Sequence, residues 1–136
     1  MSAEDNNVRQ VQSAYAAFSR GDVAGVLATL SDDILWISPG NSAAAGERRG
    51  KQEVAGFFQT INEMWEFLAF EPREFIASGD RVVALGRYDA RSRQTGRTAA
   101  SHWAMAFTFG DGLVVRFQEF TDTSTLEAAL TAAAGA

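Results

Sequence analysis

Apolar residues recur at helical spacing through most of the first half of the chain and alternate through the second. Val8, Val11, Tyr15 and Phe18 follow the polar Asp5-Asn6-Asn7 and predict a first helix that Gly21 ends. Asp22 is placed to cap a second helix with Val23, Val26, Leu27 and Leu30 along one side. Leu35-Trp36-Ile37 reads as a short strand closed by the turn Ser38-Pro39-Gly40, and the small, polar residues 41–50 read as a mobile loop. Val54, Phe57, Phe58 and Ile61 then repeat at i, i+3, i+4 and i+7, the mark of a third helix.

After Glu63 the period shortens to two. Residues 65–70 and 73–77 form one strand with a bulge expected at Pro72. Ser78-Gly79-Asp80 turns into a second strand over 81–93, and Gln94-Thr95-Gly96 into a third over 98–109. Gly110-Asp111-Gly112 is a tight hairpin into a fourth at 113–121. Ser124 and Glu127 have capping-box spacing for a last short helix holding Leu126 and Leu130. The order ααβαββββα predicts an α+β fold, with helices on the concave face of a curved, mostly antiparallel sheet. One domain over 1–136 is expected, with mobile ends at about 1–5 and 132–136.

Composition narrows the chemistry. A 136-residue chain of 46% hydrophobic and 21% charged residues has the size and balance of one globular domain. Zero cysteines removes thiol catalysis and thiolate metal sites, and one histidine argues against zinc, so no metal and no cofactor are expected. A net charge of −5 argues against nucleic acid and anionic membrane as partners. The acidic, polar start is unlike a secretory signal, and no apolar run is long enough to span a bilayer, so a cytoplasmic protein is expected. Arginine supplies every basic residue except Lys51, a bias common in GC-rich bacterial genomes.

Strand alternation points to a site. Val83, Leu85, Arg87 and Asp89 share one face of their strand; Leu113, Val115, Phe117 and Glu119 share one face of the last. Both series run apolar and finish in charge, as the wall of a greasy cavity with a polar end would. The alternative for Arg87 and Asp89 is an exposed ion pair past the covered part of the sheet. Trp36, Phe57, Leu85, Trp103, Phe107 and Phe117 are expected to line a pocket of several hundred Å³, with Ser38 and Tyr15 as further ligand contacts. His102 alternates with Ala100, Ala104 and Ala106, which sends it to the outer face. That face, with Val114, is expected to bury itself in a homodimer.

The stretches YAAFSRGD (15–22), DDILWISPG (32–40), GDRVVALGR (79–87) and DGLVVRFQEFTDT (111–123) resemble the nuclear transport factor 2-like superfamily. That group includes ketosteroid isomerases, SnoaL-like polyketide cyclases and limonene epoxide hydrolases. The resemblance implies a cone-shaped α+β fold around an apolar ligand cavity, usually dimeric. Against the steroid isomerases the match fails: Ser38 stands where a carboxylate base belongs, Ala14 replaces the helix-1 tyrosine, and Ala104-Met105 replace the aspartate. Against the epoxide hydrolases it holds in part. Arg87-Tyr88-Asp89 match the arginine and first aspartate and Glu119 the second, while Trp36 and Ser38 replace the tyrosine and asparagine that hold water. The resemblance therefore implies an acid–base enzyme on an apolar oxygenated substrate, with Glu119 and Asp89 sharing proton transfer and Arg87 orienting them. The alternative is a carrier or sensor that uses the same cavity without catalysis.

Overall fold

The computed structural model describes residues 2–131; Met1 and the tail expected to fray at 132–136 lie outside the described residues. The elements run α1 (Ala3–Ser19), α2 (Val23–Leu27), β1 (Leu30–Ser38), β2 (Gly46–Arg49), α3 (Lys51–Met64), β3 (Trp65–Ser78), β4 (Arg81–Ser92), β5 (Thr98–Gly110), β6 (Leu113–Thr121) and α4 (Thr123–Leu130). The strands form one six-stranded sheet in the order β2-β1-β6-β5-β4-β3. Among the described residues only β1 and β6 pair in parallel; every other pair is antiparallel. This is the expected α+β class, with one strand more than the sequence pattern suggests.

The differences have local causes. Ser2 caps α1 by accepting the Asp5 N–H at 3.1 Å, so Asp5-Asn6-Asn7 lie inside the helix. Gly21 ends the run with φ at +74°, a region open to glycine at no steric cost. Asp22 caps α2 by accepting the Gly25 N–H at 2.8 Å, but Leu30 leaves that helix to begin β1. The segment read as a mobile loop contains β2, whose Gly46 to Arg49 pair with Ser38 to Leu35. Polarity concealed it, because an edge strand needs no inward apolar face. The Arg48 guanidinium fastens the preceding loop by donating to the Ala44 and Ala43 carbonyls at 2.8 and 3.1 Å. At α4 the cap is Asp122, not Ser124: its carboxylate accepts from the Thr125 N–H at 3.1 Å and from the Ser124 and Thr125 hydroxyls at 2.7 and 2.6 Å. Those bonds favour the ionised form and pull its pKa down to about 2. Glu127, freed from the expected box, instead accepts the Asn41 N–H at 2.8 Å and ties α4 to the β1–β2 loop.

The core lies between the helices and one face of the sheet. Val11, Leu30, Ile34, Val54, Val82 and Val114 are sealed there, with Trp36, Phe57, Trp103, Phe107 and Phe117 around them. Register shifts help set which side chains reach it, one of them in β1 between Leu30 and Leu35. Pairing slips at Leu68 and at Arg73 in β3, the second beside the expected Pro72, and again at Val115 in β6. The β6 bulge puts Val114 and Phe117, three residues apart, on the same inner face. Val114 is therefore a core residue and not part of the outer surface.

Candidate active site

A pocket of about 130 Å³ opens between the inner face of the sheet and the helices. α1 contributes Tyr15 and Phe18, α3 Phe57, Phe58 and Ile61, and β1 Trp36 and Ser38. β3 adds Trp65, Phe67 and Phe70, β4 Tyr88, β5 Met105 and Phe107, and β6 Phe117, Glu119 and Thr121. The Pro39-Gly40 turn, Thr29 before β1 and Leu126 and Glu127 of α4 add to the lining. The space is smaller than expected because rings fill it: Tyr15, Phe70 and Trp103 pack with centroids 5.3 to 6.0 Å apart.

Of the residues singled out from the sequence, Tyr15, Trp36, Ser38, Phe57, Phe107, Phe117 and Glu119 come together around this pocket. Trp103 faces inward but sits behind the lining, stacked on Phe70. Leu85, Arg87 and Asp89 do not reach it. In β4 the inner face carries Val82, Ala84, Gly86, Tyr88 and Ala90, so the face assigned from alternation is the wrong one. The physical reason is volume. Trp103 of β5 stands opposite Gly86 and Met105 opposite Ala84, so the strand between bulky neighbours presents its small residues inward. Directly opposed residues in an antiparallel pair share a face. Because Arg87 opposes His102, the outward His102 takes Arg87 with it. On that outer face Arg87 meets Asp89 at 3.1 Å and Glu71 at 3.7 Å, a partly exposed cluster.

Glu119 thus stands apart from Asp89 and Arg87. Burial among apolar side chains pushes its pKa from 4.5 up to about 7, and burial is the sole cause. Their own burial, and next to it the Glu119 charge, hold the Tyr15 and Tyr88 hydroxyls above the usual phenol range. Tyr88, which alternation on the wrong face concealed, exchanges a 2.8 Å hydrogen bond with Thr121. Tyr15 donates to the Met105 thioether at 3.1 Å, a weak acceptor. The arrangement is one titratable carboxylate in a greasy, aromatic cavity with two protonated phenols nearby. It can accept or deliver one proton close to neutral pH.

The shift has a consequence for folding. A carboxyl group that holds its proton more tightly when folded stabilises the fold fully below pH 4.5. That contribution is lost as pH rises through about 7. The loss is at most about 3 kcal/mol, from 1.36 kcal/mol per unit. Urea unfolding across that interval should show stability falling by this amount relative to Glu119→Gln, which carries no titrating group.

A family model described as the SnoaL-like domain matches residues 11–117 of the chain. Among solved structures, a nuclear transport factor 2-like protein from Burkholderia xenovorans is 37% identical, covers 94% of this chain and 98% of its own, and superposes with a TM-score of 0.87. A second, from Burkholderia pseudomallei, is 33% identical over 97% of this chain and 100% of its own, with a TM-score of 0.88. TerC, co-crystallised with polyporic acid, is 27% identical over 92% of this chain and 98% of its own, with a TM-score of 0.82.

Proposed function

Since the chain belongs to the SnoaL-like domain family, within the nuclear transport factor 2-like superfamily, we propose that it is a cofactor-free isomerase or cyclase. Its substrate is an apolar carbonyl compound, and Glu119 is the single acid–base group. The observation that carries this reading is the Glu119 carboxylate, raised to about 7 inside an aromatic pocket. A base near ambient pH has enough ionised form to act and enough basicity to take a proton. The carboxylate removes a hydrogen from the carbon beside the carbonyl, and that bond's electron pair moves onto the carbonyl oxygen as an enolate. Returning the proton to another carbon completes an isomerisation. In cyclisation the enolate carbon attacks a second carbonyl of the same molecule, and the oxygen formed there receives the proton from Glu119. Both routes begin and end with the same protonation state.

The paired hydrolase arrangement has less support, because Arg87 and Asp89 face away from Glu119. TerC, 27% identical to this chain, was co-crystallised with polyporic acid, which favours a ligand-binding role for the fold here. The test is deuterium incorporation from D2O beside the carbonyl of 1-tetralone and related aryl ketones, followed by proton NMR. Exchange faster than in buffer, rising through pH 7 as Glu119 ionises, is the expected result. Binding without faster exchange would replace this reading with that of a carrier.

The outer face of the sheet supports a second copy of the chain as partner. Ile76 and Phe120 are more than half exposed there, and Val83, Leu85, Ala104 and Ala106 bridge them across β4 and β5. Such an apolar surface is costly to leave in water. Sedimentation equilibrium at micromolar concentration should give twice the 14.7 kDa chain mass; a 14.7 kDa species alone would exclude the dimer.

A further inference from the structure

Several of the pocket's polar groups have partners within the fold. Thr29 donates to the Val26 carbonyl at 2.7 Å, Thr121 shares a hydrogen with Tyr88, Glu127 holds Asn41, and Tyr15 is turned to Met105. Two others do not. The indole Nε1 of Trp36 and the hydroxyl of Ser38 are buried and have no hydrogen-bonding partner among the described residues. Trp36 is 5% and Ser38 7% exposed, and both line the pocket. A third such atom, Nε1 of Trp103, belongs to a residue outside the lining.

Buried donors without partners are rare in folded proteins, because each forfeits its hydrogen bond to water. These two are also placed together. They occupy alternate positions of β1 and face the same way. The Trp36 ring is stacked on Phe117 at 3.8 Å, so its face is taken and its edge alone can form hydrogen bonds. The Ser38 hydroxyl turns about a single bond. β1 and β6 run in parallel with Trp36 level with Phe117 and Ile37 with Gln118, so the next inward residues are Ser38 on one strand and Glu119 on the other. Neighbouring strands lie ~4.8 Å apart. That register puts Ser38 of β1 and Glu119 of β6 at neighbouring inward positions of the same pocket wall.

We infer that Trp36 Nε1 and Ser38 Oγ form the oxygen-binding end of the pocket, and that its ligand is a flat, conjugated or aromatic ketone held by that oxygen. The ring-lined walls of Phe57, Phe58 and Phe117 suit a planar body, and the two donors suit one oxygen that gains negative charge. This rests on the proton-transfer reading for its chemical purpose, but the binding claim stands on the two donors alone.

The experiment measures binding of 1-tetralone and of tetralin, the same bicycle without the oxygen, by equilibrium dialysis. Wild type is expected to bind the ketone at least tenfold more tightly than the hydrocarbon. Ser38→Ala and Trp36→Phe, singly and together, should reduce that preference toward unity while tetralin affinity changes less than threefold. Ser38→Ala should also leave the thermal midpoint unchanged or higher, since it removes a hydroxyl with no partner in the fold; this keeps a readable variant if Trp36→Phe fails to fold. Glu119→Gln should keep the ketone preference whatever happens to deuterium exchange, which separates this claim from the catalytic one. A wild type that binds neither compound or both alike overturns the inference, as does a preference that survives loss of both donors.

Discussion

Glu119→Gln is expected to lower the rate of deuterium exchange, or of any turnover found, by about 10²- to 10⁴-fold, the range that a positioned general base supplies. The amide keeps the shape and cannot take the proton. Loss of the buried charge also removes a destabilising group near neutral pH, so the variant should melt no lower than wild type at pH 7.5. A dead enzyme with an intact or firmer fold is the signature sought. Asp89→Asn is the matched control: Asp89 lies on the opposite side of the sheet, in a cluster with Arg87, and its replacement should change the rate less than twofold. Equal loss in both variants would mean that proton transfer is not centred on Glu119.

The second large effect is structural. A methyl group added at Gly86 would sit 2.5 Å from Cζ2 of Trp103 and against the Glu71 carbonyl oxygen. The carbonyl belongs to a backbone held in register by the Pro72 to Gly86 pairing, and the indole is wedged against Phe70 and Tyr15. Neither can withdraw cheaply. Gly86→Ala should cost about 3 kcal/mol or more, at or beyond the usual range for overpacking and a large part of a domain's 5–15 kcal/mol. Urea unfolding should show the midpoint collapse, with loss of near-ultraviolet circular dichroism from the displaced tryptophan. A change below 1 kcal/mol would mean that β3 and β4 are free to separate there.

How far these features were readable in advance differs by strand. In β5 the large set Trp103, Met105 and Phe107 alternates with alanines, and volume alone points it inward. In β4 both faces are apolar for half their length, since Val83 and Leu85 answer Val82 and Ala84, and alternation cannot choose between them. The choice came from the partner strand: Trp103 requires Gly86, and the register then sends Arg87 and Asp89 outward. Apolar Phe117 and Val115 mark Glu119 as an inward residue, though Val115 is the bulged residue and not a true member of that face. Tyr88 lies between Arg87 and Asp89, and an alternation that puts those charges inward hides it. The uncommitted donors at Trp36 and Ser38 could not be read from the sequence, since a missing partner is a property of surroundings. Helix ends followed local chemistry more closely. Asp22 caps as its position suggests, and Asp122 displaces Ser124 because a carboxylate collects three donors where a hydroxyl would satisfy one.

The extra residue at Val115 also bears on how such a pocket changes over generations. Counting from the hairpin, the bulge makes the steps from Val114 to Phe117 odd, and every later side chain of β6 takes its side of the sheet from that count. Loss of the Val115 codon would close the bulge and leave plain alternation, with Val114, Phe117, Glu119 and Thr121 still on the inner face. Loss of the Gln118 codon is different: past Phe117 the count shifts by one, Glu119 turns outward and Phe120 takes its place. The chain would then lose its proton carrier without a substitution at that residue. A change of one residue in β6 is thus silent at the bulge and decisive three positions later.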